Sequence, residues 1–174
     1  SFLDIVAAQN EEQLNDLPDE LKDEYGRASA ETVEANLREV IRKDSPFNPA
    51  YYGKLSIILQ ELIDKRKKEM LDYEEYMKEL IELVKKARGK SANSYPESIK
   101  TPGMRALYDN LGQNEYLAIR AHEVIKENAL VGFRDNRLKQ RKLIKALAKL
   151  LGDEMAQKIY DIIKLHDEYG KGYC

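Results

Sequence analysis

A chain of 174 residues with 29 basic and 31 acidic side chains, a formal net charge of −2 and 43% hydrophobic residues can bury a core without a disulfide or metal staple. The near balance of charge excludes a wholesale nucleic-acid coat while leaving room for a local patch. Its one cysteine, Cys174, rules out an intramolecular disulfide and points to a reducing, cytoplasmic setting; no apolar run has the length of a membrane span, so no membrane is expected as a partner.

Residues 1–28 form an acidic N-terminal segment, with eight acidic side chains against two basic ones, Lys22 and Arg27. Within it, Pro18-Asp19-Glu20-Leu21-Lys22 has the letters of a PD-(D/E)xK nuclease motif. Such sites bring carboxylates from separate strands onto Mg²⁺. Asp19 and Glu20 are adjacent in a helical or loop segment, so the stretch reads as a helix start with acids at its positive end. The abrupt start at Ser1 and the short Gly/Tyr/Cys tail read as edges of a piece of a longer polypeptide.

Val33, Leu37, Val40 and Ile41 recur at helical spacing and predict a helix over about 30–43. Pro46 and Pro49 stop it, because neither donates a backbone hydrogen bond. Asn48 is placed to cap a second helix with Pro49 at its first position. Tyr51, Leu55, Ile58, Leu59 and Leu62 give that helix an inward stripe running to about residue 70, and Lys65-Arg66-Lys67-Lys68 suits its negative end. Asp72 and Glu75 have capping-box spacing, which predicts a third helix over 73–88.

Residues 89–101, rich in Gly, Ser, Asn and Pro, read as a linker. Gly89-Lys90-Ser91 resembles the end of a phosphate-binding loop, but Val84 stands where that loop needs glycine, and a helix rather than a strand precedes it. Thr101 caps the next helix, with Pro102 first, and Gly112 closes it. Leu117, Ala121, Val124 and Ile125 mark a helix across about 114–128. After a loop holding Gly132, Asp135 or Asn136 starts a helix with Leu143, Ile144, Leu147 and Leu150 inward, ended by Gly152. Met155, Ile159, Ile162, Ile163 and His166 form the last stripe. With no strand run visible, the fold class is all-α: a multi-helix bundle of two packed helical subdomains, 29–88 and 102–174, joined by the 89–101 linker.

No catalytic, metal-binding or cofactor-binding residue is expected in this chain. His122, His166 and the terminal Cys174 do not make a zinc ligand set, and no nucleophile–base pair is visible. The one chemically suggestive feature is a row of cations, Arg137, Arg141, Lys145 and Lys149, four residues apart on one helix face. Arg134, Lys139 and Lys142 lie nearby, so residues 134–149 hold seven positive charges against the single acid Asp135. The commoner fate of such a row is a solvated face or salt bridges to acidic neighbours. The functional alternative makes Arg134, Arg137, Arg141, Lys142, Lys145 and Lys149 contacts for phosphates or for an acidic partner.

Several blocks in succession carry a resemblance. Ala30-Glu31-Thr32-Val33-Glu34-Ala35-Asn36-Leu37-Arg38 leads to Asn48-Pro49-Ala50-Tyr51-Tyr52-Gly53-Lys54-Leu55-Ser56. There follow Leu62-Ile63-Asp64-Lys65-Arg66, Tyr73-Glu74-Glu75-Tyr76, and Tyr95-Pro96 running through Arg105-Ala106-Leu107-Tyr108-Asp109-Asn110-Leu111-Gly112 to Asn114-Glu115. Their order and spacing resemble the C-terminal helical region of the R subunit of type I restriction enzymes, over most of residues 29–168. The resemblance implies a parent that is an ATP-driven DNA translocase and endonuclease, using ATP and Mg²⁺ in upstream motor and nuclease domains. It implies that this region docks to the methyltransferase core of modification and specificity subunits and packs against the motor lobes. None of the catalytic motifs of those upstream domains is present, so no catalytic residue is carried onto this chain. Duplex DNA as a partner of the basic helix, or an unrelated helical adaptor, are the alternatives.

Overall fold

The computed structural model describes residues 30–89 and 95–171. The acidic segment 1–28 with its Pro18–Lys22 stretch, Lys90 and Ser91, and Cys174 lie outside the described residues. Among the described residues the fold is all-α, with no strand and no helix long and apolar enough to cross a membrane. The described residues divide into two compact units, one made of residues 30–44 and 52–89, the other of 45–51 and 95–171.

In the first unit, α1 (Ala30–Asp44) packs against α3 (Tyr73–Ala87). The reason lies in their apolar stripes: Val33, Leu37 and Ile41 on α1 and Tyr76, Leu80, Leu83 and Val84 on α3 are all buried. Tyr76 carries its hydroxyl into this packing and donates it to the Glu34 carboxylate. Burial, then the hydrogen bond to Glu34, pushes the phenol pKa well above its ordinary value. The Asp72–Glu75 capping box forms as its spacing dictates, with Glu75 N–H donating to Asp72 Oδ1 at 2.8 Å and Asp72 N–H to Glu75 Oε2 at 3.2 Å.

Helix α2 (Pro49–Lys67) starts where Asn48 and Pro49 require, and Tyr51 N–H donates to Asn48 Oδ1 at 3.3 Å. It ends three residues before the expected 70. Glu69 adopts a left-handed backbone with φ 55°, and Met70 N–H reaches back to the Lys65 carbonyl at 3.0 Å, which is the closing bond of a Schellman turn. A glutamate gives no sequence signal for that conformation. Replacing it should help: Glu69→Gly is expected to raise stability by about 0.5–1 kcal/mol, because glycine carries no Cβ penalty at positive φ. Thermal melts of the two proteins check this, and an unchanged or lower midpoint contradicts it.

The inward stripe of α2 is also shifted. Leu55, Leu59, Leu62 and Ile63 are buried, whereas Ile58, expected to face inward, is 41% exposed and Ile57 is 61% exposed. Ile58 sits about 80° around the helix from the centre of the buried stripe, at 100° per residue, so it falls off its edge.

The second unit holds α4 (Pro102–Asn110), α5 (Glu115–Asn128), α6 (Arg137–Leu151) and α7 (Asp153–Ile163), with short 3₁₀ turns at Ser45–Phe47 and Phe133–Asp135. Helix α6 packs on α5 and α7, and α4 on α5 and α7. Their shared core contains Leu107, Ile125, Phe133, Leu143, Leu147, Ile159 and Ile163, all essentially without solvent contact. Ile144 and Leu150, expected inward, are partly buried at its rim. Thr101 Oγ1 caps α4 by accepting from Met104 N–H at 3.1 Å, and Gly112 at φ 71° closes it. Of the two residues proposed to start α6, Asn136 does so, accepting from Leu138 and Lys139 N–H at 3.0 and 3.1 Å. His166, placed on the last apolar stripe by its spacing, is buried, but outside α7, which ends at Ile163. Residues 95–100, read as linker, pack with this unit: Ile99 is 3% exposed and belongs to its core.

Candidate functional site

The two most distinctive sequence blocks meet inside the second unit. Asn48 Nδ2 donates to Asp109 Oδ2 at 2.7 Å, and Tyr95 Oη donates to the same oxygen at 2.5 Å. Next to it, Asn110 Nδ2 donates to Asn48 Oδ1 at 2.9 Å and to the Ala106 carbonyl at 2.8 Å, while Asn110 Oδ1 accepts from Ala50 N–H at 3.2 Å. Asn48 and Asn110 are both buried, so these bonds satisfy groups that would otherwise lose water without compensation. The Arg105 guanidinium lies over the Tyr95 ring at 5.5 Å, and Tyr95 meets Tyr108 edge-on at 5.7 Å. Burial, then the hydrogen bond to Asp109, drives the Tyr95 phenol well above its ordinary pKa. This cluster joins the start of α2 to the end of α4. Its donors and acceptors face one another, so its chemistry is that of a fastening.

A second fastening holds the turn after α7. Arg134 Nε donates to the Lys164 carbonyl at 2.5 Å, one terminal nitrogen to Tyr169 O at 3.0 Å and the other to His166 O at 2.7 Å. The guanidinium also covers the Phe133 ring at 4.5 Å. Arg134, grouped with the basic row by sequence, is therefore committed to three backbone carbonyls and is withdrawn from any contact set. His166 Nε2 donates to the Phe47 carbonyl at 2.7 Å, and His122 Nδ1 meets Tyr169 Oη at 2.7 Å. Burial lowers the His122 pKa, which favours the neutral ring with Nδ1 accepting from the phenol.

Arg137, Arg141, Lys142, Lys145 and Lys149 are placed otherwise. All five are exposed along α6, and none has an ion-pair partner among the described residues. Among the described residues, no salt bridge accounts for the row as structural. The row spans twelve residues, about 18 Å at 1.5 Å per residue. Lys139 departs from it, its Nζ bound to the Val131 carbonyl at 2.6 Å. In the midst of these cations Leu138 is 75% exposed, with Arg141 and Lys142 as its neighbours three and four residues on. The sequence did carry a sign of this: Leu138 lies well over 100° around the helix from the Leu143–Leu147 stripe.

A groove of about 480 Å³ is lined in part by Lys126, Leu130, Val131, Glu168 and Tyr169. Two of its polar groups are engaged in the fold, Glu168 accepting from Gly103 N–H at 2.5 Å and Tyr169 pairing with His122. Among the described residues no group of three or more His, Cys, Asp or Glu is placed to hold a metal ion. Comparison with family models, curated proteins and solved structures finds no match for this chain.

Proposed function

We propose that this chain is a helical contact module, acting as the C-terminal region of a type I restriction R subunit, which it resembles, and docking that motor–nuclease to its methyltransferase core. The observation that carries this reading is the exposed Leu138 set among Arg137, Arg141, Lys142 and Lys145 on α6, which have no ion-pair partner among the described residues. Arginine around an apolar anchor is the composition of a protein interface, and bare lysines of a solvated face have no use for the leucine. The distinctive polar residues support the same reading from the other side. Asn48, Tyr95, Asp109 and Asn110 are engaged with one another and leave helix surface as what the module offers. ATP and Mg²⁺ would belong to the motor lobes of the parent chain.

The exposed row also favours a second reading, in which α6 tracks the phosphates of duplex DNA. At 3.4 Å per phosphate along one strand, an 18 Å row faces about five of them. One pair of variants separates the two. Leu138→Asp is expected to lower retention of the methyltransferase core at least tenfold if α6 docks protein. For DNA, Arg141→Glu with Lys145→Glu removes binding, and the wild-type affinity falls with salt at a log–log slope near −3.6 for about four contacts. Core retention that ignores Leu138→Asp, together with DNA affinity that ignores the double reversal, removes α6 from either role.

A further inference from the structure

Helix α2 carries a second apolar strip on the side away from its buried one. Lys54, Ile57, Ile58 and Glu61 are all exposed, and at 100° per residue they fall within an arc of about 100°. The two isoleucines are 61% and 41% exposed, side by side in the middle. The flanking charges are of opposite sign. They stand seven residues apart, about 10 Å along the axis, too far to pair with each other. Neither has an ion-pair partner among the described residues.

We infer that this strip is the docking face for the same helix of a second copy of this chain, packed antiparallel. A two-fold axis midway between Ile57 and Ile58 is equidistant from Lys54 and Glu61. Turning the strip about it sets Ile57 against the second copy's Ile58, and Lys54 against the second copy's Glu61, each twice. A parallel arrangement opposes Lys54 to Lys54 and Glu61 to Glu61 and is disfavoured. An isologous dimer demands that every residue find its complement within the same patch, and this strip meets the demand in both apolar content and charge. The patch is short. Two turns of helix bury well under the roughly 1,200 Å² of a stable complex, so the pairing is weak and concentration-dependent. It lies on a different helix, in a different unit, from the α6 surface, and stands or falls independently of it.

Sedimentation equilibrium of the 174-residue chain, from roughly 10 µM to 1 mM, tests the inference. A monomer–dimer equilibrium is expected in the upper part of that range. Ile57→Asp abolishes the dimer, and Lys54→Glu alone weakens it about tenfold, one pair reversed at each end. Lys54→Glu combined with Glu61→Lys restores it, because the exchange regenerates both pairs. All these positions are exposed, and unchanged circular dichroism confirms that the fold survives. A chain that stays monomeric at 1 mM overturns the inference, as does a dimer indifferent to Ile57→Asp or one that the double exchange fails to rescue. If Ile57→Asp instead lowers retention of the methyltransferase core while the chain stays monomeric, the strip belongs to that core, and self-pairing is wrong.

Discussion

Arg134→Ala is expected to lower the stability of the second unit by about 3 kcal/mol or more. The side chain makes three charge-assisted hydrogen bonds, to the carbonyls of Lys164, His166 and Tyr169, and covers Phe133. No other residue type supplies that fork, so the carbonyls lose partners that water reaches only in part. Arg134→Lys should recover little, since an ammonium is a point donor on a flexible stem. The melting midpoint of that unit is expected to fall by roughly 10 °C or more. The comparison that makes this specific is Arg141→Ala, an exposed member of the basic row, which should move the midpoint by no more than about 0.5 kcal/mol equivalent. Equal shifts in the two variants contradict the assignment of Arg134 to the fold.

Asn110→Ala should cost about 2–3 kcal/mol. The buried amide is satisfied by Asn48, Ala106 and Ala50 at once, and truncation strands acceptors and a donor out of water. Asn110→Asp should be worse, because a carboxylate there loses both donors and turns a negative charge toward the Ala106 carbonyl and Asn48 Oδ1. The sharper measurement is a double-mutant cycle. Asn48→Ala and Asn110→Ala remove one shared contact, so their combined cost should fall short of the sum by about 1 kcal/mol or more. Additive costs show that the two amides act separately.

Much of the helix pattern was legible because its signals are local. Pro49 behind Asn48, the Asp72–Glu75 spacing, Thr101 before Pro102, and Gly112 and Gly152 each fix a boundary through backbone chemistry within a few residues. What could not be read is non-local or unsignalled. Asn48 finds Asp109 and Asn110 across 61 and 62 residues of chain, and nothing in either block announces the other. Glu69 takes a conformation that its residue type disfavours, so α2 ends early. Ile58 lay close enough to the periodic stripe to be counted in it, and only tertiary packing decides which edge residues are covered. The candidate surface was half legible. The spacing of Arg137, Arg141, Lys145 and Lys149 announces a row, but whether acids answer it depends on the neighbouring helices. Arg134 shows the converse, being part of the row by composition and of the fold by position.

A titration of the assembled methyltransferase core into the labelled 174-residue chain, with ATP and DNA hydrolysis followed in the same samples, tests the central claim most directly. The account expects saturable binding at micromolar concentrations or below, weakened by Leu138→Asp, and no hydrolysis of either substrate. Absence of binding at low salt, or hydrolysis by the chain alone, would contradict it.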